Sequence, residues 1–277
     1  MRIRFAKMHG AGNDFVLVDG RDGSFSCDRR VLAAIGARGT GVGCEGIILV
    51  QRSERADFRM RFFNPDGSEA ELCGNGARCV AAFAREIGAV KADKMRFETL
   101  AGDIQAEIIR KSSSLIPRPS SLLVKIAMPA PKDLRANFVN SGVPHCIVPV
   151  ANLAKTDVEG EGRRIRCSKA FAPDGTNVDF VTYHAPDRVD IRTYERGVEA
   201  ETGACGTGAV AAALVGVAQY GLKFPVAVRT VKGFELVIGG DFDGKAFHSV
   251  TLTGPVARVF TGEIDLDSLD RNVRNRG

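Results

Sequence analysis

The sequence predicts an α+β protein made of two pseudo-symmetric halves, each with many short strands around one buried helix. Three observations lead to this prediction: an internal repeat over most of the chain, strand-like runs in both copies of the repeat, and one strongly apolar helical segment in each copy. The chain has 277 residues, of which 44% are hydrophobic and 26% charged, as in ordinary globular proteins. It therefore has the length and composition to bury a large core.

The repeat has a nearly constant offset of 130 to 132 residues. It pairs 12–18 with 142–148, 58–64 with 189–195, 73–77 with 205–209, and 99–102 with 230–233. Chance matches between glycine-rich stretches would not keep so steady an offset. Because two copies of this length fit neither a solenoid nor a propeller, we expect two related half-molecules that face each other across a pseudo-two-fold axis.

Short β-branched or alternating runs predict the strands of both halves. These runs are residues 47–50, 57–63, 104–109, 178–181, 189–194, 226–231 and 250–253. A helix is predicted after each Cys-Gly-x-Gly sequence, at 77–87 and 209–220. The second helix is apolar on nearly every side, which indicates burial, and Gly221 occupies the position after its end that glycine favours. The Ser- and Pro-rich segment 111–121 predicts a loop near the junction of the halves.

Charge, hydropathy and cysteine content exclude several classes of protein. The net charge of +5 is spread along the chain, tryptophan is absent, and basic residues are not interleaved with aromatic ones, so we expect no nucleic-acid partner. No apolar run is long enough for a membrane span or a signal peptide, which predicts a cytoplasmic protein with no membrane partner. Seven cysteines, an odd number in a long chain, predict reduced thiols rather than a disulfide framework.

The motifs of common cofactor sites are missing or misplaced. Residues 41–46 match G-x-G-x-x-G, but they follow a helix-like stretch at 30–37 and precede a strand, the reverse of a dinucleotide-binding turn. The nucleotide phosphate loop is absent, and the spacing between Cys73 and Cys79 is not that of a zinc site. We therefore predict no cofactor and no metal site.

The two Cys-Gly-x-Gly sequences are the candidate reactive centres. Each places a cysteine, Cys73 or Cys205, where a Gly-x-Gly turn leads into a helix. At such an end the unpaired N–H groups and the helix dipole favour an anion and lower the pKa of a thiol. If the halves face each other, one thiol could take a proton from a carbon in a shared cleft and the other could return a proton from the opposite side. This arrangement predicts inversion of a stereocentre in a small-molecule substrate.

Several motifs in a fixed order make the whole chain resemble the diaminopimelate epimerase family. They are HGAGNDF at 9–15, NPDGSE at 64–69, CGNGARC at 73–79, PH at 144–145, TNVD at 176–179, YERG at 194–197 and ACGTGA at 204–209. The resemblance implies a cofactor-independent enzyme that interconverts LL- and meso-diaminopimelate in the synthesis of lysine and peptidoglycan. It also implies that each half is a mixed β-sheet wrapped round a central helix.

The resemblance and the repeat together give the domain organisation. We expect an N-terminal half at 1–120 plus 260–277, because the C-terminal strand of the family returns to the first half. The C-terminal half is then 121–259. Cys73 lies in the first half and Cys205 in the second, with the active site in the cleft between them.

The resemblance also assigns roles to individual residues. Cys73 and Cys205 match the two catalytic thiols, and His145 and Glu195 match residues that help to ionise them. The residues that match contacts to the reacting amino-acid end are Asn13, Gly74, Asn75, Gly206 and Thr207. Those that match contacts to the distant, non-reacting end are Asn64, Asn177, Glu195 and Arg196. Arg196 is suited to a bidentate carboxylate contact and Glu195 to an ammonium group.

Other functions on the same fold stay open at this stage. The nearest is another racemase that works without pyridoxal phosphate, of the proline, hydroxyproline or broad-specificity type. Such a racemase lacks the second clamp that Glu195 and Arg196 provide here. A dehydratase of this fold is expected to have lost one thiol, and a binding protein would need neither. The sequence leaves the oligomeric state open, and a homodimer is one option.

Overall fold

The computed structural model describes residues 2–109 and 122–269. The chain divides into two compact units. Unit 1 comprises Met1–Ile126 and Pro255–Gly277, and unit 2 comprises Ala127–Gly254. The predicted loop at 111–121 and the predicted boundary after residue 120 lie outside the described residues. The sequence prediction places the second boundary after residue 259, whereas unit 2 ends at Gly254.

Both units are built mainly from strands. Along the first part of the chain these are β1 (Arg2–Gly10), β2 (Asn13–Asp19), β3 (Gly46–Gln51), β4 (Phe58–Phe63), β5 (Glu69–Ala70), β6 (Lys94–Thr99), β7 (Gly102–Ile109) and β8 (Leu122–Ala127). The later strands are β9 (Lys132–Arg135), β10 (Phe138–Asn140), β11 (Pro144–Pro149), β12 (Asn177–His184), β13 (Arg188–Glu195), β14 (Ala200–Thr202), β15 (Val226–Thr230), β16 (Glu235–Phe242) and β17 (Phe247–Asp265). The α-helices are α1 (Arg29–Gly36), α2 (Gly74–Glu86), α3 (Val158–Arg166) and α4 (Gly206–Gln219). None of the helices in the described ranges is long and apolar enough to cross a membrane.

Unit 1 contains a mixed sheet. Hydrogen-bonded neighbours follow the order β1, β2, β3, β4, β6, β7 and β8, and the short β5 pairs with β4. Strands β2 and β3 are parallel, as are β4 and β6, and the other pairs are antiparallel. The last part of β17 pairs with the other side of β1, from Val256 opposite Gly10 to Asp265 opposite Arg2. The last part of β17 therefore belongs to the same sheet as β1, the first strand of the chain.

Strand β3 shows how unit 1 is packed. Ile47 and Leu49 belong to the same core cluster as Leu32 of α1. Ile48 points the other way, and its Cδ1 lies 3.0 Å from the place where a Cβ on Gly76 of α2 would be. Because helices cover both faces, the strand has five consecutive buried residues instead of an alternating pattern. Helix α2 contacts β1, β2, β3, β4 and β7, so the sheet wraps round it.

Unit 2 repeats this plan. Its neighbours follow the order β9, β10, β11, β12, β13, β15, β16 and the first part of β17, and β14 pairs with β13. The parallel pairs, β11 with β12 and β13 with β15, match those of unit 1. Helix α4 packs among β10–β13, β15 and β16, while α3 covers the other face through Val158, Val178, Phe180 and Tyr194. The predicted α+β fold, with a mixed sheet around a central helix in each half, is confirmed.

The two central helices begin three residues earlier than the sequence predicted. Helix α2 starts at Gly74 and α4 at Gly206, so each Gly-x-Gly forms the first helical turn instead of a turn that leads into it. None of these glycines has a positive φ. Their missing side chains serve close packing instead, since a Cβ on Gly208 would lie 2.5 Å from Asp179 Oδ1. Gly221, with φ of 72°, follows the C-cap of α4 as predicted.

Candidate active site

Cys205 is the N-cap residue of α4, so its thiol lies at the open end of a buried helix. Its Sγ accepts a hydrogen bond from the main-chain N–H of Gly208, with an N–S distance of 3.4 Å. The Thr207 hydroxyl lies 3.4 Å from the same sulfur. Cys205 is only 9% exposed. The thiol is therefore held by the first turn of the helix that follows it.

A chain of side chains leads from this thiol into the core of unit 2. The Thr207 hydroxyl lies 2.9 Å from Nε2 of His145, whose Nδ1 lies 2.6 Å from Oδ2 of Asp179. The other carboxylate oxygen, Oδ1, accepts a hydrogen bond of 2.7 Å from the Thr193 hydroxyl. His145 and Asp179 are completely buried. Thr207 and His145 therefore connect Cys205 to the buried carboxylate of Asp179.

Asn177 fixes the direction of the hydrogen bonds in this chain. Its Oδ1 accepts from the main-chain N–H of Arg196 at 2.7 Å, which turns its amide nitrogen toward His145 Nε2, 3.4 Å away. Nε2 is therefore an acceptor, and Nδ1 carries the proton that is donated to Asp179. The Thr207 hydroxyl donates to Nε2, which leaves its oxygen to accept from the thiol of Cys205.

The surroundings of Cys205 favour the neutral thiol. Burial raises its pKa well above the ordinary value, and the nearby carboxylates Glu195 and Asp179 add to this effect. The hydrogen bond from the Gly208 N–H and the contact with the Thr207 hydroxyl act in the opposite direction and are outweighed. The prediction that a helix N-terminus leaves this thiol with a lowered pKa is wrong for Cys205, because burial beside two carboxylates opposes the helix.

Cys73 occupies the matching position in unit 1, as the half-buried N-cap of α2. Arg78, in the second turn of the helix, is hydrogen-bonded to the two residues that follow Cys73, Gly74 and Asn75. Its Nη2 donates to Asn75 Oδ1 at 2.7 Å and its Nη1 to the Gly74 carbonyl at 3.3 Å. The end of β1 lies directly against this turn, since a Cβ on Gly10 would be 2.8 Å from the Asn75 carbonyl oxygen. The first turn of α2 is thus rigidly packed inside unit 1.

Two further asparagines of the predicted site lie at strand ends in unit 1. Asn13 begins β2, and its Oδ1 is buried without a hydrogen-bond partner among the described residues. Asn64 follows β4, and its amide nitrogen donates to the Ser68 hydroxyl at 3.1 Å. A buried acceptor that lacks a partner has an unfavourable solvation energy, which makes Asn13 a candidate for a contact that the described residues do not supply.

Three of the four predicted distal-end residues lie near the end of β13 in unit 2, whereas the fourth, Asn64, lies in unit 1. Glu195 is the last residue of β13, and Arg196 follows it. The Arg196 main chain is fixed by Asn177, and its Nη1 donates to the Asp174 carbonyl at 3.3 Å. Glu195, Arg196 and Asn177 therefore lie near His145 and Cys205. The structure divides the predicted residues between the units, with Asn13, Asn64, Cys73, Gly74 and Asn75 in unit 1 and His145, Asn177, Glu195, Arg196, Cys205, Gly206 and Thr207 in unit 2.

Sequence reasoning missed three residues of these networks. Asp179 is hydrogen-bonded to His145, Thr193 donates to Asp179, and Arg78 donates to Asn75. The available signal was an ionisable residue inside an otherwise apolar element, since Asp179 interrupts a buried strand and Arg78 a buried helix. Within the described ranges, no group of three or more His, Cys, Asp or Glu side chains is arranged to hold a metal ion. None of the seven cysteines, all of which lie in the described ranges, forms a disulfide.

The fold is shared with a class of two-unit α+β proteins. A phenazine biosynthesis protein of the PhzF family from Bacillus anthracis superposes with a TM-score of 0.72 at 19% identity, covering 96% of this chain and 99% of that one. A hydroxyproline epimerase from Agrobacterium vitis gives a TM-score of 0.68 at 17% identity, covering 96% and 93%. A probable proline racemase from Agrobacterium radiobacter K84 gives a TM-score of 0.68 at 17% identity, covering 97% and 94%. At these identities the likeness defines the fold.

The sequence narrows this class to one family. The diaminopimelate epimerase family model matches residues 5–116 and 137–259. The chain is 44% identical to the diaminopimelate epimerase of Aquifex aeolicus, over 97% of this chain and 100% of that protein. It is 41% identical to the enzyme of the same name from Chlorobaculum tepidum, over 94% and 100%. The chain belongs to the diaminopimelate epimerase family.

Proposed function

We propose that this chain interconverts LL- and meso-diaminopimelate by moving a proton at Cα between two thiols, Cys73 and Cys205. One thiol, as the thiolate, removes the proton from one face of the carbon. The other, as the thiol, delivers its proton to the opposite face, and the configuration inverts. The substrate must then lie between the thiols, in the cleft expected from the sequence. We place this activity in the cytoplasm, without nucleic-acid or membrane partners.

The observation that carries the proposal is the duplicated placement of the thiols. In each unit a cysteine is the N-cap of a central helix, an end at which main-chain N–H groups and the helix dipole favour an anion. Both turns can therefore bind the carboxylate next to the reacting carbon and stabilise the charge that develops there. Contacts to this end are proposed for Asn13, Gly74, Asn75, Gly206 and Thr207.

The distal end of the substrate explains the preference for diaminopimelate over a simpler amino acid. Arg196 offers a guanidinium for the second carboxylate and Glu195 a carboxylate for the second ammonium group. Asn64 and Asn177 supply neutral polar contacts to the same end. His145, held by Asp179, accepts through Thr207 the proton of Cys205 and so adjusts the ionisation of this thiol.

Deuterium incorporation at Cα tests the proposed function. The dialysed protein would be incubated in D2O, without added cofactor, with LL-diaminopimelate, lysine, proline and histidine in parallel. We expect exchange with inversion on diaminopimelate and weak exchange at most on the others. Exchange that is fastest on proline or histidine would favour a different racemase, and activity that appears only with added pyridoxal phosphate or metal would contradict the two-thiol mechanism.

A further inference from the structure

The two units have the same fold but differ in the polarity of the side chains behind their thiols. Pairing registers align them residue by residue, because Phe15 is opposite Gly46 in unit 1 as His145 is opposite Asn177 in unit 2. The equivalent residues are Phe15, Ile48 and Phe62 in unit 1 and His145, Asp179 and Thr193 in unit 2. Unit 1 therefore has an apolar cluster where unit 2 has a buried carboxylate and its partners.

Arg78 introduces the opposite charge in unit 1. It lies in the second turn of α2 and is completely buried. Its hydrogen-bond partners are neutral, the Asn75 side chain and the Gly74 carbonyl, and its Nε has no partner in the described part of the chain. At the repeat offset of 132 the equivalent residue in unit 2 is Val210. The cation thus belongs to the helix that Cys73 caps and has no counterpart behind Cys205.

A buried guanidinium without a carboxylate partner is unfavourable unless an anion compensates it. Burial lowers the pKa of Arg78 to about 10, so the group remains a cation at neutral pH. The ionisable groups that interact with it are the thiols of Cys79 and Cys73. Burial raises the pKa of Cys79 far above neutral pH, so this thiol stays protonated. Cys73 is then the group that can supply the compensating negative charge.

Several charged side chains on the strands of unit 1 are paired with one another and not with Arg78. The pairs are Lys7 with Asp14, Arg61 with Glu69, Asp103 with Arg96, and Glu107 with Lys125. Around Cys205 the ionisable groups are Glu195, Asp179 and His145, which is hydrogen-bonded to Asp179, and both carboxylates oppose a negative charge on sulfur. The local charges therefore favour the thiolate in unit 1 and the thiol in unit 2.

We propose that Arg78 is the buried charge that keeps Cys73 ionised in the free protein while Cys205 stays protonated, so that the duplicated thiols begin turnover in opposite states. Arg78 acts through Cys73 and is therefore a positioning residue, and this inference rests on the proposed function of the two thiols. In the first turnover the Cys73 thiolate takes the Cα proton and becomes a thiol. The Cys205 thiol gives its proton to the opposite face and becomes a thiolate. Exchange of these protons with water restores the starting state.

Thiol alkylation resolved by residue tests this inference without substrate. The full-length protein would be treated with iodoacetamide from about pH 5 to about pH 10, and the rate at each cysteine measured by peptide mass spectrometry, because the thiolate is the reactive form. We expect the pH midpoint of Cys73 to lie below the ordinary thiol value of about 8.5 and below that of Cys205. In Arg78→Met the Cys73 midpoint should rise by about one unit or more, a ~10-fold slower reaction at neutral pH, with Cys205 unchanged.

Two variants separate charge from structure. Arg78→Lys keeps the cation and should restore most of the Cys73 midpoint. Arg192→Met removes a half-buried guanidinium that pairs with Glu201 in unit 2, and it should leave the midpoint where it was. The inference would be overturned if the Cys73 midpoint did not move in Arg78→Met, or if Arg78→Lys did not restore that midpoint. If Arg78→Met does not fold, the wild-type order of the two midpoints decides, and a Cys73 midpoint at or above that of Cys205 would overturn it.

The outcome is separable from that of the proposed function. Wild-type protein that exchanges no deuterium into diaminopimelate would contradict the proposed function, whatever the thiols do with iodoacetamide. Normal epimerisation together with a Cys73 midpoint that does not depend on Arg78 would contradict this inference alone.

Discussion

Arg196 is the residue whose replacement should separate substrate choice from proton transfer. Arg196→Met would remove the bidentate partner that we propose for the distal carboxylate of diaminopimelate, at a cost of about 2–4 kcal/mol or ~30-fold to several hundred-fold in kcat/KM. Because binding of the distal end also positions the reacting carbon, we expect kcat to fall as well as KM to rise. Residual exchange on lysine, which lacks the distal carboxylate, should change little. Steady-state kinetics on both substrates provides the measurement.

Equal loss on diaminopimelate and lysine would give Arg196 a role in the fold or in the ionisation of Cys205. That outcome is physically reasonable, since its main chain holds Asn177, which in turn faces His145. A methionine keeps this main-chain hydrogen bond, so the substitution tests the guanidinium alone. An unaffected enzyme would show that the side chain lies outside the site.

At the level of residues, the sequence alone predicted the site residues that occur in both copies of the repeat. It did not by itself predict those that occur in one copy. Cys73 and Cys205 were predicted because both copies carry the same motif. His145 was assigned only through the family resemblance, and Asp179 and Arg78 were missed because each is present in one unit only. Their partners also matter, since Asp179 meets His145 across 34 residues of chain, a contact that only strand pairing brings about.

At the scale of elements, the first turns of the two central helices should respond differently to the same substitution. Gly208→Ala would place a Cβ 2.5 Å from Asp179 Oδ1 in α4, displacing the carboxylate that holds His145. In Gly76→Ala, at the matching position of α2, the nearest atom to the new Cβ would be the flexible end of Ile48 at 3.0 Å. We expect Gly208→Ala to lower kcat at least ~10-fold and to destabilise the protein, and Gly76→Ala to have the smaller effect on both. Comparable losses in the two variants would contradict this role of Asp179.

The β1–β2 hairpin contains a buried ion pair that gives unit 1 a pH-dependent stability. Asp14 lies between the nearly buried Lys7, 2.5 Å away, and Arg38, 2.8 Å away. Burial acts to raise the pKa of Asp14, but the hydrogen bonds from both cations outweigh it, and the pKa lies below its ordinary value of 3.8. The stabilisation is therefore complete above about pH 4 and is lost as the pH falls through the lowered pKa.

Asp14→Asn should accordingly destabilise the protein at neutral pH by about 1–3 kcal/mol, because Lys7 keeps a buried charge without its counterion. The difference from wild type should shrink below about pH 4, where Asp14 itself becomes protonated. Thermal or urea unfolding at several pH values provides the measurement. Glu263→Gln is the control. Glu263 pairs with Arg4, which lies on β1 like Lys7, but this ion pair is exposed and should contribute little to the stability. If the difference in unfolding free energy between wild type and Asp14→Asn grew on acidification, a lowered pKa for Asp14 would be contradicted.

Elements were more predictable than their ends. Five of the seven predicted strand runs lie wholly within strands of the structure, and the other two, 57–63 and 226–231, each extend one residue beyond a strand. The agreement arises because β-branched runs bounded by turn residues reflect local preference. The starts of α2 and α4 were wrong because glycine usually indicates a turn. Here the strands that pack against the first turn leave no room for a side chain, and this tertiary cause has no local sequence signal.

At the scale of the whole molecule, the duplication makes a prediction that neither unit could make alone. Cys73→Ala and Cys205→Ala should each abolish inversion, because a protein with one thiol has a base on one face of the carbon and no acid on the other. Each variant should still exchange the Cα proton of the one stereoisomer whose hydrogen faces the remaining thiol, with retention of configuration. The two variants should therefore label opposite isomers, LL in one case and meso in the other. Mass spectrometry after chiral separation in D2O measures both isomers, and near-wild-type inversion by either variant would exclude the two-thiol mechanism.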